Sequence, residues 1–208
     1  HSPQASHRSA CTSSACCQPK FRISQPSTGT IRNWPNEPAA AATPMAHDRR
    51  FRFGIQLSQP LAGLSWAESA RKAEDLGFST LFLPDHFGDQ LAPIPAMMAA
   101  ADATTTLNVG ALVFDNDYKH PVVMAKEIAT IDQLSGGRVE FGLGSGWMKS
   151  DYDESGIPYD APKVRVERFF EGVEIIKGLW SEEPVNFSGE HYTITGLNGL
   201  PKPARPGG

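Results

Sequence analysis

The sequence predicts an α/β fold in which helices and parallel strands alternate, closed as a barrel or laid out as an open sheet. Three observations predict it. The stretch from His120 to Trp147, HPVVMAKEIATIDQLSGGRVEFGLGSGW, packs a helix start, a helix stop, a buried strand and a glycine-rich loop into one unit. Thr80-Leu-Phe-Leu83 is short and almost wholly apolar, the pattern of a strand buried on both faces. Apolar runs of strand length and helical repeats also follow one another in regular order from Phe51 onward. In both architectures the C-terminal ends of the strands carry the chemistry.

The elements follow in order. Phe51, Phe53, Ile55 and Leu57 alternate with polar or small residues and give a first strand. Ser65 and Glu68 form a capping box, and Trp66, Ala70 and Ala73 line one face of the helix it starts, which Gly77 stops. Residues 80–83 are the second strand. A helix near residues 95–104 leads to a third strand near residues 107–114. Pro121 opens the next helix, where its missing N–H costs nothing. Met124, Ile128 and Ile131 share a face, Leu134 is close behind, and Gly136-Gly137 supply the left-handed stop. A fourth strand spans residues 139–143 and opens into Gly142, Gly144 and Gly146. Val166, Phe169, Phe170, Val173, Ile176 and Trp180 mark another amphipathic helix. A small hairpin follows over residues 185–194, turning at Ser188-Gly189, and the last eight residues read as a linker. That makes four β/α units.

Composition narrows the function classes. The 208 residues are 40% hydrophobic and 20% charged, enough to bury a core. No apolar run approaches the ~20 residues of a membrane span. The net charge of −4 is unevenly placed: residues 1–44 carry about +3 and the rest about −7, which argues against nucleic acid as a partner. Residues 1–44 are rich in Ser, Pro and Ala and lack apolar periodicity, so disorder is expected there. Their acid-poor, Arg-bearing character is that of a transit peptide, but a leader ahead of the first methionine, Met45, is the simpler reading. Cys11, Cys16 and Cys17 all lie in that segment, so residues 45–208 have neither a disulfide nor a Cys-ligated metal site.

Three segments, in this order, carry a resemblance: Leu81-Phe-Leu-Pro-Asp85-His86, the His120–Trp147 stretch, and Ser-Gly-Glu-His-Tyr at residues 188–192. Together they resemble the bacterial luciferase-like monooxygenase superfamily, the flavin- or deazaflavin-dependent (β/α)8 TIM barrels. The branch that uses coenzyme F420 is the nearest in pattern. The resemblance runs from Phe51 to the end and implies the N-terminal half of such a barrel, about four β/α units plus the hairpin insertion, with residues 201–206 approaching a fifth strand.

The resemblance implies hydride transfer between a small organic substrate and F420, with monooxygenation by reduced FMN as the alternative. His86 and Asp85, directly after the second strand, become the candidate catalytic residues. An imidazole exchanges protons readily near neutral pH, and Asp85 is placed to bind the cofactor ring or steady an imidazolium. The third strand is expected to carry a bulge and a non-proline cis peptide behind the ring, at Ala111-Leu112 to within one residue. Gly144, Ser145 and Trp147 complete the expected cofactor face, the glycines letting a ring approach the backbone. Some F420-dependent relatives carry a glutamate acid where Trp147 stands, which sets a sugar-phosphate dehydrogenase apart from this sequence.

Several other readings are weaker. Gly142-Leu-Gly-Ser-Gly146 lacks the third glycine and the ribose-binding acid of a dinucleotide fingerprint. His120 is expected to cap its helix. Asp115 and Asp117, in the loop after the third strand, are read as solvated loop carboxylates, with a face towards substrate as the alternative. A metal-dependent hydrolase on the same fold would need a His-x-His in the first strand, which ends in Gln56-Leu57-Ser58 instead, so no metal is expected. A half barrel leaves apolar strand edges open, so pairing with a second copy or a complementing chain is expected, without which the chain would be non-catalytic. The expected location is cytoplasmic.

Overall fold

The computed structural model describes residues 51–205; the expected leader and its cysteines lie outside the described residues. The chain runs through β1 (Gly54–Gln56), α1 (Trp66–Asp75), β2 (Thr80–Leu83), α2 (Pro93–Ala103), β3 (Asn108–Ala111) and β4 (Phe114–Asp115). A single 3-10 turn, Asn116–Tyr118, leads into α3 (Pro121–Ser135), β5 (Val139–Glu140), β6 (Leu143–Gly144) and α4 (Lys149–Ser155). Helix α5 (Pro162–Trp180) and the antiparallel pair β7 (Val185–Ser188) and β8 (Thr193–Leu197) complete it.

The sheet is parallel throughout, in the order β1-β2-β3-β5, and does not close on itself among the described residues. Sequential neighbours joined by helices are the β/α units read from the sequence. Strands three and four are each interrupted. β3 pairs with β5 through Val109↔Val139, and β4 then pairs with β6 through Phe114↔Leu143 and Asp115↔Gly144. Between β3 and β4 the peptide Leu112-Val113 is cis, one residue beyond the expected Ala111-Leu112.

Leu81, Leu83, Val109 and Ala111 pack outward from the strands against Met97, Ala100, Met124, Ile128, Ile175 and Leu179 of the helices. At an average near 25 cal/mol per Å² of apolar surface, this layer is the dominant stabilising term. The opposite face of the sheet is polar at its base. Glu140 accepts from Asn108 at 3.1 Å and pairs with Arg52, which also reaches Thr80 at 3.4 Å. Two tethers hold the elements in place. The Arg138 guanidinium donates to the carbonyls of Ala101, Leu107 and Ser135 at 2.7–2.8 Å. Trp66 Nε1 donates to the Ala96 carbonyl at 2.8 Å, fixing α1 on α2.

Three expectations are corrected and one helix is added. The first strand is shorter than its alternation suggested, since Phe51 and Phe53 are exposed. Leu134 is exposed because the buried stripe of α3 runs from Ile131 to Ser135, one turn on. Val166 and Phe170 are exposed as well; the buried face of α5 is Arg165, Gly172, Ile175, Ile176 and Leu179. Helix α4 was not anticipated, because its seven residues, KSDYDES, carry one apolar side chain and no repeat.

Candidate active site

The loop after β2 sets the first two groups. Leu83 is the last buried strand residue, and Pro84 turns the chain outward so that Asp85 and His86 stand at the sheet's C-terminal rim. Gln90 folds back to donate to the His86 carbonyl at 2.8 Å, holding the turn. The Asp115 N–H donates to Asp85 Oδ2 at 3.0 Å, joining this loop to β4. Burial pushes the Asp85 carboxyl up, against the pull of that hydrogen bond.

A cleft of about 210 Å³ opens beside them, lined by Asp85, His86, Val113, Gly144, Ser145 and Trp147, among others. Five sequence-predicted residues (Asp85, His86, Gly144, Ser145 and Trp147) therefore share one surface. Ala111 and Leu112 do not. Ala111 belongs to the core, Leu112 is 53% exposed, and neither lines the cleft. Their neighbour Val113 supplies that wall. A Cβ at Gly144 would fall 2.9 Å from Val113 Cγ2, and one at Gly146 would fall 1.8 Å from the Tyr152 hydroxyl. The protein's own packing therefore demands these glycines, whatever binds in front of them.

Helix α4 delivers the groups that sequence reasoning missed. His86 Nδ1 lies 2.6 Å from Asp151 Oδ2, and the Tyr118 hydroxyl donates to the same oxygen at 2.8 Å. Burial acts to raise the Asp151 carboxyl, but the hydrogen bonds from His86 and Tyr118 outweigh it and hold the group below its ordinary range. Burial raises the Tyr118 hydroxyl, and its bond to Asp151 raises it further. One residue on, Tyr152 donates to Asp115 at 2.9 Å and to Asp117 at 3.1 Å. Asp117 is also paired with Arg168 at 2.9 Å and its side chain is 1% exposed. Asp115 is buried too, so neither is the solvated loop carboxylate expected. No local pattern marked Asp151 or Tyr152.

His120 caps α3, its Nδ1 accepting from the Val122 N–H at 3.3 Å. Glu167, Glu190 and His191 gather within metal-ligating reach of one another, but none of the three lines the cleft.

Trp147 is 70% exposed and meets His86 edge to face, ring centroids 5.8 Å apart. The cleft thus has an apolar wall at Val113, bare backbone at Gly144, an aromatic edge and a titratable pair. That donor set suits a flat conjugated ring placed against a substrate that exchanges a proton. A family model described as luciferase-like monooxygenase matches residues 50–207. The chain belongs to that family.

Within the luciferase-like family, the chain is 31% identical over 147 residues to the F420-dependent glucose-6-phosphate dehydrogenase of Amycolatopsis mediterranei. That match covers 67% of this chain and 44% of the dehydrogenase. Among solved structures, the monooxygenase RslO1 from Streptomyces bottropensis superposes with a TM-score of 0.65 at 27% identity, over 76% of this chain and 51% of RslO1. The F420-dependent tetrahydromethanopterin reductase of Methanopyrus kandleri gives a TM-score of 0.66 at 24% identity, over 74% of this chain and 47% of the reductase, a likeness of fold alone. The chain spans about half the length of these luciferase-like relatives. Among the described residues no helix is long and apolar enough to cross a membrane.

Proposed function

We propose that the protein is an F420-dependent oxidoreductase that moves a hydride to or from a small organic substrate. The observation that carries this reading is the rim constellation, in which His86 and Asp85 face the same cleft as Gly144, Ser145 and Trp147. The Amycolatopsis dehydrogenase supports F420 as the cofactor. Bound F420 would supply the carbon that gives or takes the hydride. Val113 and the Gly144-Ser145 backbone would hold the ring. Trp147 would shield the reacting face from water, and His86 would exchange the substrate proton. Glucose 6-phosphate is not carried over, because Trp147 occupies the position where the resemblance implies a glutamate acid.

The second reading is monooxygenation with reduced FMN, which RslO1 supports. A deazaflavin moves hydride without readily activating oxygen, so oxygen consumption separates the two. The edges β1 and β5 of the open sheet favour assembly with a second copy or a complementing chain.

The test is fluorescence titration of the protein with F420 and with FMN, followed by F420 reduction assays over a panel of small alcohols. Saturable F420 binding with substrate-dependent reduction is the expected result. Binding of FMN alone, with oxygen uptake, would replace this reading by the second.

A further inference from the structure

We propose that Asp151, with Tyr118, is the positioning residue for His86, fixing the proton on Nδ1 so that Nε2 meets the cleft as a proton acceptor. The inference rests on the reading of His86 as the proton-exchanging group of an F420-dependent oxidoreductase. It adds a residue, a tautomer and a direction of proton flow to that reading.

The geometry carries it. Asp151 sits in the first turn of α4, its side chain 8% exposed, while His86 is on the loop after β2, 65 residues earlier. The 2.6 Å contact therefore joins two separate rim elements. Held below its ordinary carboxylate range, Asp151 is ionised at neutral pH. An ionised carboxylate only accepts hydrogen bonds, so the imidazole nitrogen facing it must carry the proton. Tyr118 donates to the same oxygen, which leaves His86 Nδ1 and the Tyr118 hydroxyl as two donors converging on one acceptor. Tyr118 is itself held by the Phe87 ring, 4.4 Å from its own. His86 Nε2 makes no hydrogen bond among the described residues, and the ring lines the cleft.

The consequence is directional. For an alcohol substrate, the O–H proton would pass to His86 Nε2 as the carbinol carbon gives up its hydride to the cofactor, and the imidazolium formed would be balanced by the Asp151 carboxylate. In reverse, the same proton returns to the substrate oxygen as the hydride returns to carbon. An uncharged carboxamide at 151 removes that balance and lets the ring take the other tautomer.

The experiment is 15N NMR of the histidine-labelled full chain without cofactor, on the wild type, Asp151→Asn, Asp151→Glu and Tyr118→Phe, with steady-state kinetics on the same proteins. Expected is an Nδ1–H signature for His86 in the wild type, its loss in Asp151→Asn, and its retention in Asp151→Glu. Kinetically, Asp151→Asn should lower kcat at least tenfold with KM and F420 affinity held, and Asp151→Glu should recover part of it. Tyr118→Phe keeps the carboxylate and should keep the tautomer, with a smaller loss in kcat. An Nε2–H signature in the wild type, or an unchanged tautomer in folded Asp151→Asn, overturns the proposal. Absence of F420 turnover in the wild type would overturn the functional reading, while the tautomer would still decide whether Asp151 orders His86.

Discussion

The Tyr152 hydroxyl donates to Asp115 Oδ2 at 2.9 Å, across 37 residues of sequence, and this bond locks α4 onto the end of β4. The same hydroxyl reaches Asp117 at 3.1 Å, so one phenol serves two buried carboxylates. Burial pushes the Asp115 carboxyl up, and the bonds from Asp117 N–H and Tyr152 only partly offset it. Asp115 lines the cleft, so the position of α4 and the electrostatics of the rim are set together.

Tyr152→Phe should therefore destabilise the fold by about 1–3 kcal/mol, the cost of removing the phenol donor from the Oδ2 atoms of Asp115 and Asp117, whose Oδ1 atoms keep the Asp117 N–H and Arg168. The deficit should depend on pH. A carboxyl whose folded value is raised gives stability that is present in acid and lost as pH rises through that value. The phenol supports the ionised form, so the variant's deficit should be small in acid and grow towards neutrality. Denaturant unfolding across pH measures it, and a pH-independent deficit would remove Asp115 ionisation from the explanation.

Gly146 faces the same hydroxyl. Its φ of +76° already disfavours any side chain, and a Cβ would fall 1.8 Å from the Tyr152 Oη. Gly146→Ala should cost more than the ~1–2 kcal/mol of the left-handed backbone alone. In a Tyr152→Phe background part of the extra cost should fall, because the nearest clashing oxygen is gone while Asp115 Oδ2, 2.6 Å from that Cβ, remains. Additivity within about 0.5 kcal/mol in that double-mutant cycle would show that the clash is relieved elsewhere.

The alternating elements were legible because each obeys one dominant local rule. Ser65 and Glu68 cap α1 as the spacing implied, and Gly136 ends α3 in the left-handed conformation. Thr80–Leu83 is a strand with both faces covered, as its apolar run required. The site was only partly legible. Asp85 and His86 were visible because they follow an apolar strand directly. Asp151 and Tyr152 were not, since their meaning comes from contacts with residues 33 to 65 positions away, and no periodicity encodes that. Leu134 and Phe170 misled for the opposite reason. Both are apolar, but each lies off the buried stripe of its helix, and hydrophobic character alone does not fix a face.

Glu74 gives a test of stability away from the cleft. Its Oε1 accepts the N–H groups of Thr105, Thr106 and Leu107 at 2.6–3.0 Å. Burial opposes ionisation, but these bonds prevail and lower its pKa to about 2. A depressed carboxylate contributes stability that is present above the ordinary value of 4.5 and lost as pH falls towards about 2. Glu74→Gln should cost on the order of 1 kcal/mol near neutrality, the charge-assisted share of these bonds in a partly exposed site. Thermal unfolding of the two proteins should converge as pH approaches 2, and a gap that persists there would point to packing rather than charge.

His86→Ala is the decisive variant for the chemistry. The side chain is 24% exposed and stands on a loop, so its removal should leave the core and the fold intact. Loss of a positioned proton carrier should lower kcat by about 10²–10⁴-fold. Cofactor affinity should be largely kept, because Val113, Gly144 and Ser145 line the cleft without help from the imidazole. Kinetics and F420 titration on the same preparation read both quantities. Turnover at the wild-type rate would remove His86 from the mechanism, and with it the catalytic meaning of Asp151. A loss of cofactor binding with turnover preserved at saturation would make His86 a wall of the site rather than its acid or base.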